Sequence, residues 1–396
     1  MIQSIIVYSL LMGIMMIFSI YATRNSSLQE ESLGIQERES FWKFEIIFPL
    51  FLFAVIFGMR YDVGGDHISY LDGYLQKEYI GRNDFLFNLF SEIGWKINLH
   101  YAFYFGTFAF IQVFLFYYSF KNEKYLFPFL TFFLFTNTEW EFWMNGIRQA
   151  IALCIWIYSI KYLELNKFWK YVLCVLLATL FHKSAIILII FYPIFLRNTD
   201  YFKSVKIQII LFTAAFVFKT LFSELIFRFE PIVNYYSNLL GDNAYNYYNM
   251  DWLMGNIIER KGTGLAYIFI ILLNLFLILY SKKLKLFYNS KRFNIMYFFF
   301  FIGIITTYMF PTGAVSFTRP FRYFYIFQSI MYAYFLYYLF RTKIHSNVLG
   351  YRHALIYFGL IIIFLGIFLL SQITSNENAH LWYQFFFDQD IYGYPN

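Results

Sequence analysis

The chain has 396 residues, of which 60% are hydrophobic, 25% aromatic and only 14% charged, with a mean hydropathy of +0.52. That composition excludes a soluble domain of this size, and long apolar stretches near the ~20 residues that cross a bilayer exclude a β-barrel, whose strands alternate in short segments. The net charge of +7 in such a chain marks cytoplasmic loops rather than a nucleic-acid partner.

In chain order, the apolar runs predict spans near 2–21, 45–59, 100–120, 125–140, 147–163, 170–181, 184–196, 205–222, 264–280, 293–310, 321–340 and 354–372. The expected fold is an all-α polytopic membrane protein with about twelve transmembrane segments, built as one domain over residues 1–396. The first run lacks a basic flank and a small-residue cleavage site, so it is expected to be a retained helix and not a signal peptide. Cys154 and Cys174 both fall in apolar runs and point to neither a disulfide nor a metal site.

Residues 170–196 allow two readings: one tilted helix with His182 near its centre, or two short helices meeting at "FHKS" (181–184). Charge arbitrates. With the break, the N-terminus lies outside and most of the 31 Lys and Arg residues fall on the inner side, as basic loop residues do in membrane proteins. Each half-helix of about 12 residues then reaches only ~18 Å. His182 is thus expected below the outer surface, in a protein-lined cavity where irregular backbone is tolerated.

In this topology the outer face gathers "RYDVGGDHISY" (60–70), "NGIRQA" (145–150), "FHKS" and "PTGAVSFTRPFRY" (311–323). Arg60, Arg148, Arg319 and Arg322 all lie at outer ends of spans, where basic residues are disfavoured, accompanied by Asp66 and His182. Each has a plain reading. An Arg at a helix end snorkels to headgroups, a His in a span sits satisfied in a core, Asp62 and Asp66 pair with Arg60, and Gly64-Gly65 makes a turn. Arg319 and Arg322 share a helix face if Pro320 opens the helix. As a set, the arginines suit a phosphate-bearing ligand, because a guanidinium presents a rigid, permanently charged fork to phosphate oxygens. At a membrane edge that ligand is a lipid-linked phosphate or diphosphate, and a nearby His or Asp can take a proton from an attacking hydroxyl. There is no HExxH, Walker loop or GxSxG, and no metal or other cofactor is expected.

The longest outer loop, 223–262, is dense in Tyr and Asn and includes Trp252. It suits either sugar binding, with rings on C–H faces and amides on hydroxyls, or an interfacial aromatic belt. The basic segment "SKKLKLFYNSKR" (281–292) is expected to be an inner loop that sets orientation.

Taken in order, "RYDVGGDHISY", "NGIRQAIAL", "LATLFHKSAIILII" and "TRPFRYFY" resemble the EpsG-type family of bacterial exopolysaccharide polymerases, relatives of the Wzy O-antigen polymerases. The likeness runs from about 50 to 335. Its most specific parts are RQ-x-x-A followed some 30 residues later by H-K-S, and G-x-D-x-x-x-Y at Gly64, Asp66 and Tyr70. The resemblance implies a fold like the C superfamily of membrane glycosyltransferases. It also implies metal-independent transfer of a growing glycan from undecaprenyl diphosphate to a sugar hydroxyl on the next lipid-linked repeat unit, at the outer face of the bacterial cytoplasmic membrane. Arg148, Arg319 and Arg322 would then hold the leaving diphosphate, and Arg60 would join them or hold Asp66. His182 or Asp66 would activate the acceptor. Tyr70, Asn145 and Gln149 complete the substrate-binding set. His182 is preferred as base, since an ordinary imidazole pKa of ~6.5 suits neutrality and Arg60 would weaken Asp66. The implied partners are the lipid-linked oligosaccharide, the bilayer and a chain-length regulator.

Three rivals stand beside this reading. An O-antigen ligase shares the outward arginines and His and differs in acceptor. A flippase for lipid-linked oligosaccharides predicts charges along a path through the midplane and an internal repeat, neither of which the sequence shows. A glycan acyltransferase predicts its key His on the cytoplasmic side.

Overall fold

The computed structural model describes residues 1–23, 40–79, 84–197, 199–228, 264–310, 319–345 and 348–388. These are almost entirely helical, and five helices are long and apolar enough to cross a membrane: Ile2–Thr23, Tyr101–Ser119, Leu265–Tyr288, Lys291–Met309 and Ile356–Thr374. The other expected spans are also helical, but several are too short or too polar to qualify alone, Phe44–Gly58 and Phe168–Phe181 among them. The run expected at 125–140 ends at Thr136. Asn137 and Thr138 break it, with Thr138 in the left-handed region (φ 54°), and a separate helix follows at Glu139–Asn145. Two helices escaped the hydropathy reading, His67–Leu75 and Phe85–Lys96, because they are short and amphipathic. The long loop 223–262 and the stretch 311–318 fall outside the described residues, except for the helical 223–228.

The chain forms two compact units, Met1–Arg197 with Leu336–Asn396, and Asn198–Phe335. In the first, helix Phe44–Gly58 packs along Tyr101–Ser119, which packs on Ile147–Glu164, which packs on Phe168–Phe181. The first crossing is very close: a Cβ added at Gly58 would lie 2.5 Å from the Ala102 carbonyl oxygen. Rings fill the core, with Tyr8 on Trp140 (centroids 4.6 Å apart), Phe57 on Trp140 (5.7 Å) and Phe116 on Trp143 (5.5 Å).

Residues 168–194 form the broken pair. Helix Phe168–Phe181 stops, His182 is extended (φ −155°, ψ 114°), and a 3-10 segment Lys183–Ile190 runs back along it. The return is fixed by Tyr171, whose hydroxyl donates to Leu188 O (2.6 Å), and by Tyr192, whose hydroxyl donates to Asn166 O (2.8 Å). His182 is therefore the tip of a helical hairpin.

The C-terminal segment 376–388 lies across the end of helix Phe44–Gly58. Such an end leaves carbonyls without helical partners. Tyr383 Oη donates to Ile56 O (2.6 Å) and Phe386 N to Met59 O (3.0 Å). Tyr8 Oη and Ser4 Oγ hold the segment at Leu381 O (2.9 Å) and Tyr383 N (2.8 Å). Tyr383→Phe is expected to leave the Ile56 carbonyl unpaired and to destabilise by about 1–3 kcal/mol. The check is a lower unfolding temperature in detergent; an unchanged one would show that the hydroxyl contributes nothing.

In the second unit, helix Leu265–Tyr288 runs through most of the expected basic loop. The turn is confined to Asn289 (φ 37°) and Ser290, whose Oγ accepts from Phe293 N (3.1 Å) and caps the next helix. Lysines are good helix formers, so charge here did not signal a loop. Lys285 donates to Asp200 Oδ1 (2.6 Å) and Phe202 O (2.7 Å). Among apolar neighbours, Asn274, fully buried, receives Tyr332 Oη (2.8 Å) and Gln328 Nε2 (3.0 Å) and donates to Tyr308 Oη (3.0 Å), joining three helices.

Candidate functional site

The "RYDVGGDHISY" stretch begins where helix Phe44–Gly58 ends. Arg60 is only 1% exposed and turns back on that helix, donating to Phe57 O and, at 3.5 Å, to Met144 O at the end of helix Glu139–Asn145. Its Nε has no partner, and no carboxylate among the described residues pairs with it. Burial lowers its pKa to about 10, so it stays charged at neutral pH. Arg60 was expected to hold ligand or Asp66. Instead it ties two helix ends together, and the Met144 carbonyl that engages it is not visible from local sequence. His67 beside it is fully buried with both ring nitrogens unpartnered. Burial, and then the Arg60 charge, lower its pKa to about 2, which keeps it neutral.

The double glycine has a specific task. Gly64 has φ +97°, its N–H donates to His380 O (2.8 Å), and a Cβ there would overlap Asn145 Oδ1. Asn145 Oδ1 also accepts from the Asp66 backbone N–H (3.4 Å), so the first motif rests on the second. The Asp66 residue is exposed. Gly64→Ala is expected to cost about 1–2 kcal/mol for the left-handed backbone, and to displace Asp66 from Asn145. Protein that still elutes as a folded species should then lose activity, and full activity would show that this register is unimportant.

Three segments meet around one carboxylate. Gly146 breaks the chain between helices, and Gln112 Nε2, fully buried, donates to Trp143 O (3.1 Å) and Ile147 O (3.3 Å) on either side of that break. This sets Arg148 in the first turn of Ile147–Glu164. Its Nη1 donates to Asp84 Oδ2 (2.5 Å) and its Nε to Tyr70 Oη (3.4 Å). Phe87 lies under the guanidinium (5.8 Å). From the hairpin tip, His182 Nδ1 comes within 3.7 Å of the same Asp84 oxygen. The tip is seated by Phe181 against Phe90 (6.1 Å). The Asp84 side chain is 6% exposed, while Arg148 keeps 24% and His182 29%. Burial works to raise the Asp84 carboxyl, but His182 and Arg148 outweigh it and hold it below the usual carboxylate range. The site therefore offers a guanidinium and an imidazole side by side, each half open and both leaning on one buried carboxylate.

Of the expected residues, the first unit brings together Tyr70, Arg148 and His182, with Asp66 and Asn145 paired in the adjoining loop. Gln149 is half-buried in the same first turn as Arg148. Arg319 and Arg322 belong to the second unit. Pro320 sits in the 3-10 turn Arg319–Phe321 and the α-helix starts only at Arg322, so Pro320 does not open it; Arg322 is exposed and lies over Tyr325 (5.6 Å). Asp84 was missed. It is one of two acids, with Glu78, in the polar linker 76–84, and its one signal is its place before the amphipathic run "FLFNLFSEIGWK", where a helix N-cap belongs. Among the described residues, no group of three or more His, Cys, Asp or Glu side chains could hold a metal ion.

A family model described as the EpsG family matches residues 43–387. No curated protein and no solved structure matches the chain.

Proposed function

The chain belongs to the EpsG family, and from that membership and its site we propose that it is a glycosyltransferase joining undecaprenyl-diphosphate-linked repeat units at the outer face of the bacterial cytoplasmic membrane. The observation that carries this reading is the convergence of Arg148 and His182 on Asp84: an anion holder beside a base, which is what displacement of a diphosphate by a hydroxyl requires. Arg148 holds the donor diphosphate and stabilises the charge that grows as the glycosidic bond breaks, where electrostatic catalysis is strongest. His182 takes the proton of the acceptor hydroxyl. The hydroxyl oxygen forms the new bond to the anomeric carbon, and the old C–O bond breaks with its electron pair onto the diphosphate. Asp66, Asn145, Gln149 and Tyr70 position the acceptor sugar. On the second unit, Arg319 and Arg322 are assigned to anion binding through the resemblance of "TRPFRYFY" to the family. The hairpin supports a recessed site: a leg of 14 residues spans ~21 Å, short of the ~30 Å hydrocarbon core.

The reading is tested with purified protein in nanodiscs and undecaprenyl-diphosphate-linked repeat units. Release of undecaprenyl diphosphate with lengthening of the lipid-linked glycan is expected. Native repeat units left unchanged would overturn it, and transfer only to an acceptor other than a second repeat unit would make the protein a ligase.

A further inference from the structure

Asp84 is claimed twice. The same Oδ2 lies 2.5 Å from Arg148 Nη1 and 3.7 Å from His182 Nδ1. The first is a full charge-assisted hydrogen bond. The second is about 0.5 Å beyond the ordinary N–H···O range. His182 Nδ1 is buried and has no hydrogen-bond partner, an uncommon state for a buried polar atom. Among the described residues, the charged and titratable groups joined to this cluster are Asp84, Arg148, Tyr70 through Arg148 and Asp66 through Tyr70, with Lys183 next to His182 in the chain. Asp84 Oδ2, 3.7 Å away, is placed to accept a bond from Nδ1 after a small movement.

Resting on the proposed function, we propose that Asp84 changes partners when donor binds: a diphosphate takes over Arg148, and the released carboxylate closes on His182 Nδ1. Two facts favour the exchange. Arg148 meets Asp84 through one nitrogen and one oxygen only, whereas a diphosphate offers several oxygens and more charge, and guanidinium prefers such two-point contacts. The guanidinium is also partly exposed while the carboxylate is buried, so a ligand reaches Arg148 first. Once released, a buried carboxylate without Arg148 has a strong incentive to pair with the imidazole.

The consequence is that the base is armed by the donor. With Asp84 on Nδ1, the imidazole holds the tautomer that leaves Nε2 open, and the imidazolium formed on proton uptake is stabilised, as in other carboxylate–histidine pairs. The acceptor proton goes to Nε2 and the acceptor oxygen bonds to the anomeric carbon. The diphosphate departs with the electron pair and stays on Arg148 until it leaves, with the proton then returned to solvent. Before donor binds, Asp84 neutralises Arg148 and His182 is a weaker base. Asp84 is thus a positioning residue that links the two halves of the reaction.

The test uses full-length protein in nanodiscs, inorganic pyrophosphate as the probe, and site-resolved diethylpyrocarbonate modification of His182 across pH. In wild type, pyrophosphate is expected to raise the pH midpoint of His182 modification by about one unit, a tenfold gain in proton affinity. In Asp84→Asn, close in shape and still able to bind pyrophosphate, that shift should vanish. Asp84→Glu, which keeps a carboxylate, should retain part of it and serves the comparison if the Asn variant does not fold. An equal shift in Asp84→Asn would mean that the ligand charge acts directly, and would overturn the exchange. Pyrophosphate binding with no shift in wild type would overturn it too. Failure of wild type to bind pyrophosphate would instead strike the assignment of Arg148 as anion holder, and with it the premise of both readings.

Discussion

Arg148→Ala is expected to lower glycan transfer by about 10²–10³-fold, the usual loss when one donor to a developing oxyanion is removed. The loss should fall mainly on kcat, because in the proposed reaction the charge Arg148 meets grows as the bond to the diphosphate breaks. Arg148→Lys keeps the charge but not the fork, and Nη1 and Nε now serve Asp84 and Tyr70 separately; it should restore only part of the rate. The Ala variant also leaves Asp84, 6% exposed, without its strongest partner, and stranding a buried charge destabilises. The double variant Arg148→Ala/Asp84→Ala separates the effects: it should recover thermal stability and stay inactive. Steady-state release of undecaprenyl diphosphate measures all three, and an Arg148→Ala enzyme with unchanged kcat would remove Arg148 from the chemistry.

His182→Ala is the second large effect, with an expected loss of about 10²–10⁴-fold, the range for a positioned general base. Donor binding should survive, since in the proposed reaction the imidazole does not hold the diphosphate. Wild-type kcat should climb with pH as the base loses its proton, and that limb should be missing from the variant. A variant that keeps both its rate and the pH limb would move the base elsewhere, with Asp66, exposed beside Asn145, the next candidate. The two losses should not add in the double variant, because both groups are proposed to act on one transition state.

What the sequence discloses follows from how local the physics is. Hydropathy located the long helices, since burial in lipid requires some twenty apolar residues whatever their partners. The hairpin at His182 was legible because loop charge carries orientation, and its tip does lie where the extended residue interrupts the helix. Arg148 was legible as a cation at the wrong end of a span, and His182 as a polar residue interrupting an apolar run. Asp84 was not: its partner Arg148 is 64 residues away, and one acid in a polar linker is indistinguishable there from a solvated one. Arg60 was ambiguous for the same reason. An arginine at a helix end looks free for ligand until the fold brings the Met144 carbonyl to it. The C-terminal segment was equally silent, since it works through backbone groups and two tyrosines, with Tyr8 reaching Leu381 across 373 positions.

The most direct measurement is the length of polymer made from lipid-linked repeat units in nanodiscs, resolved as a ladder on a gel. It compares wild type, Arg148→Ala, His182→Ala and, as a control away from the site, Arg197→Ala. The account predicts a ladder in wild type and in the control, and none in the two site variants. A ladder of wild-type length in both site variants would contradict it.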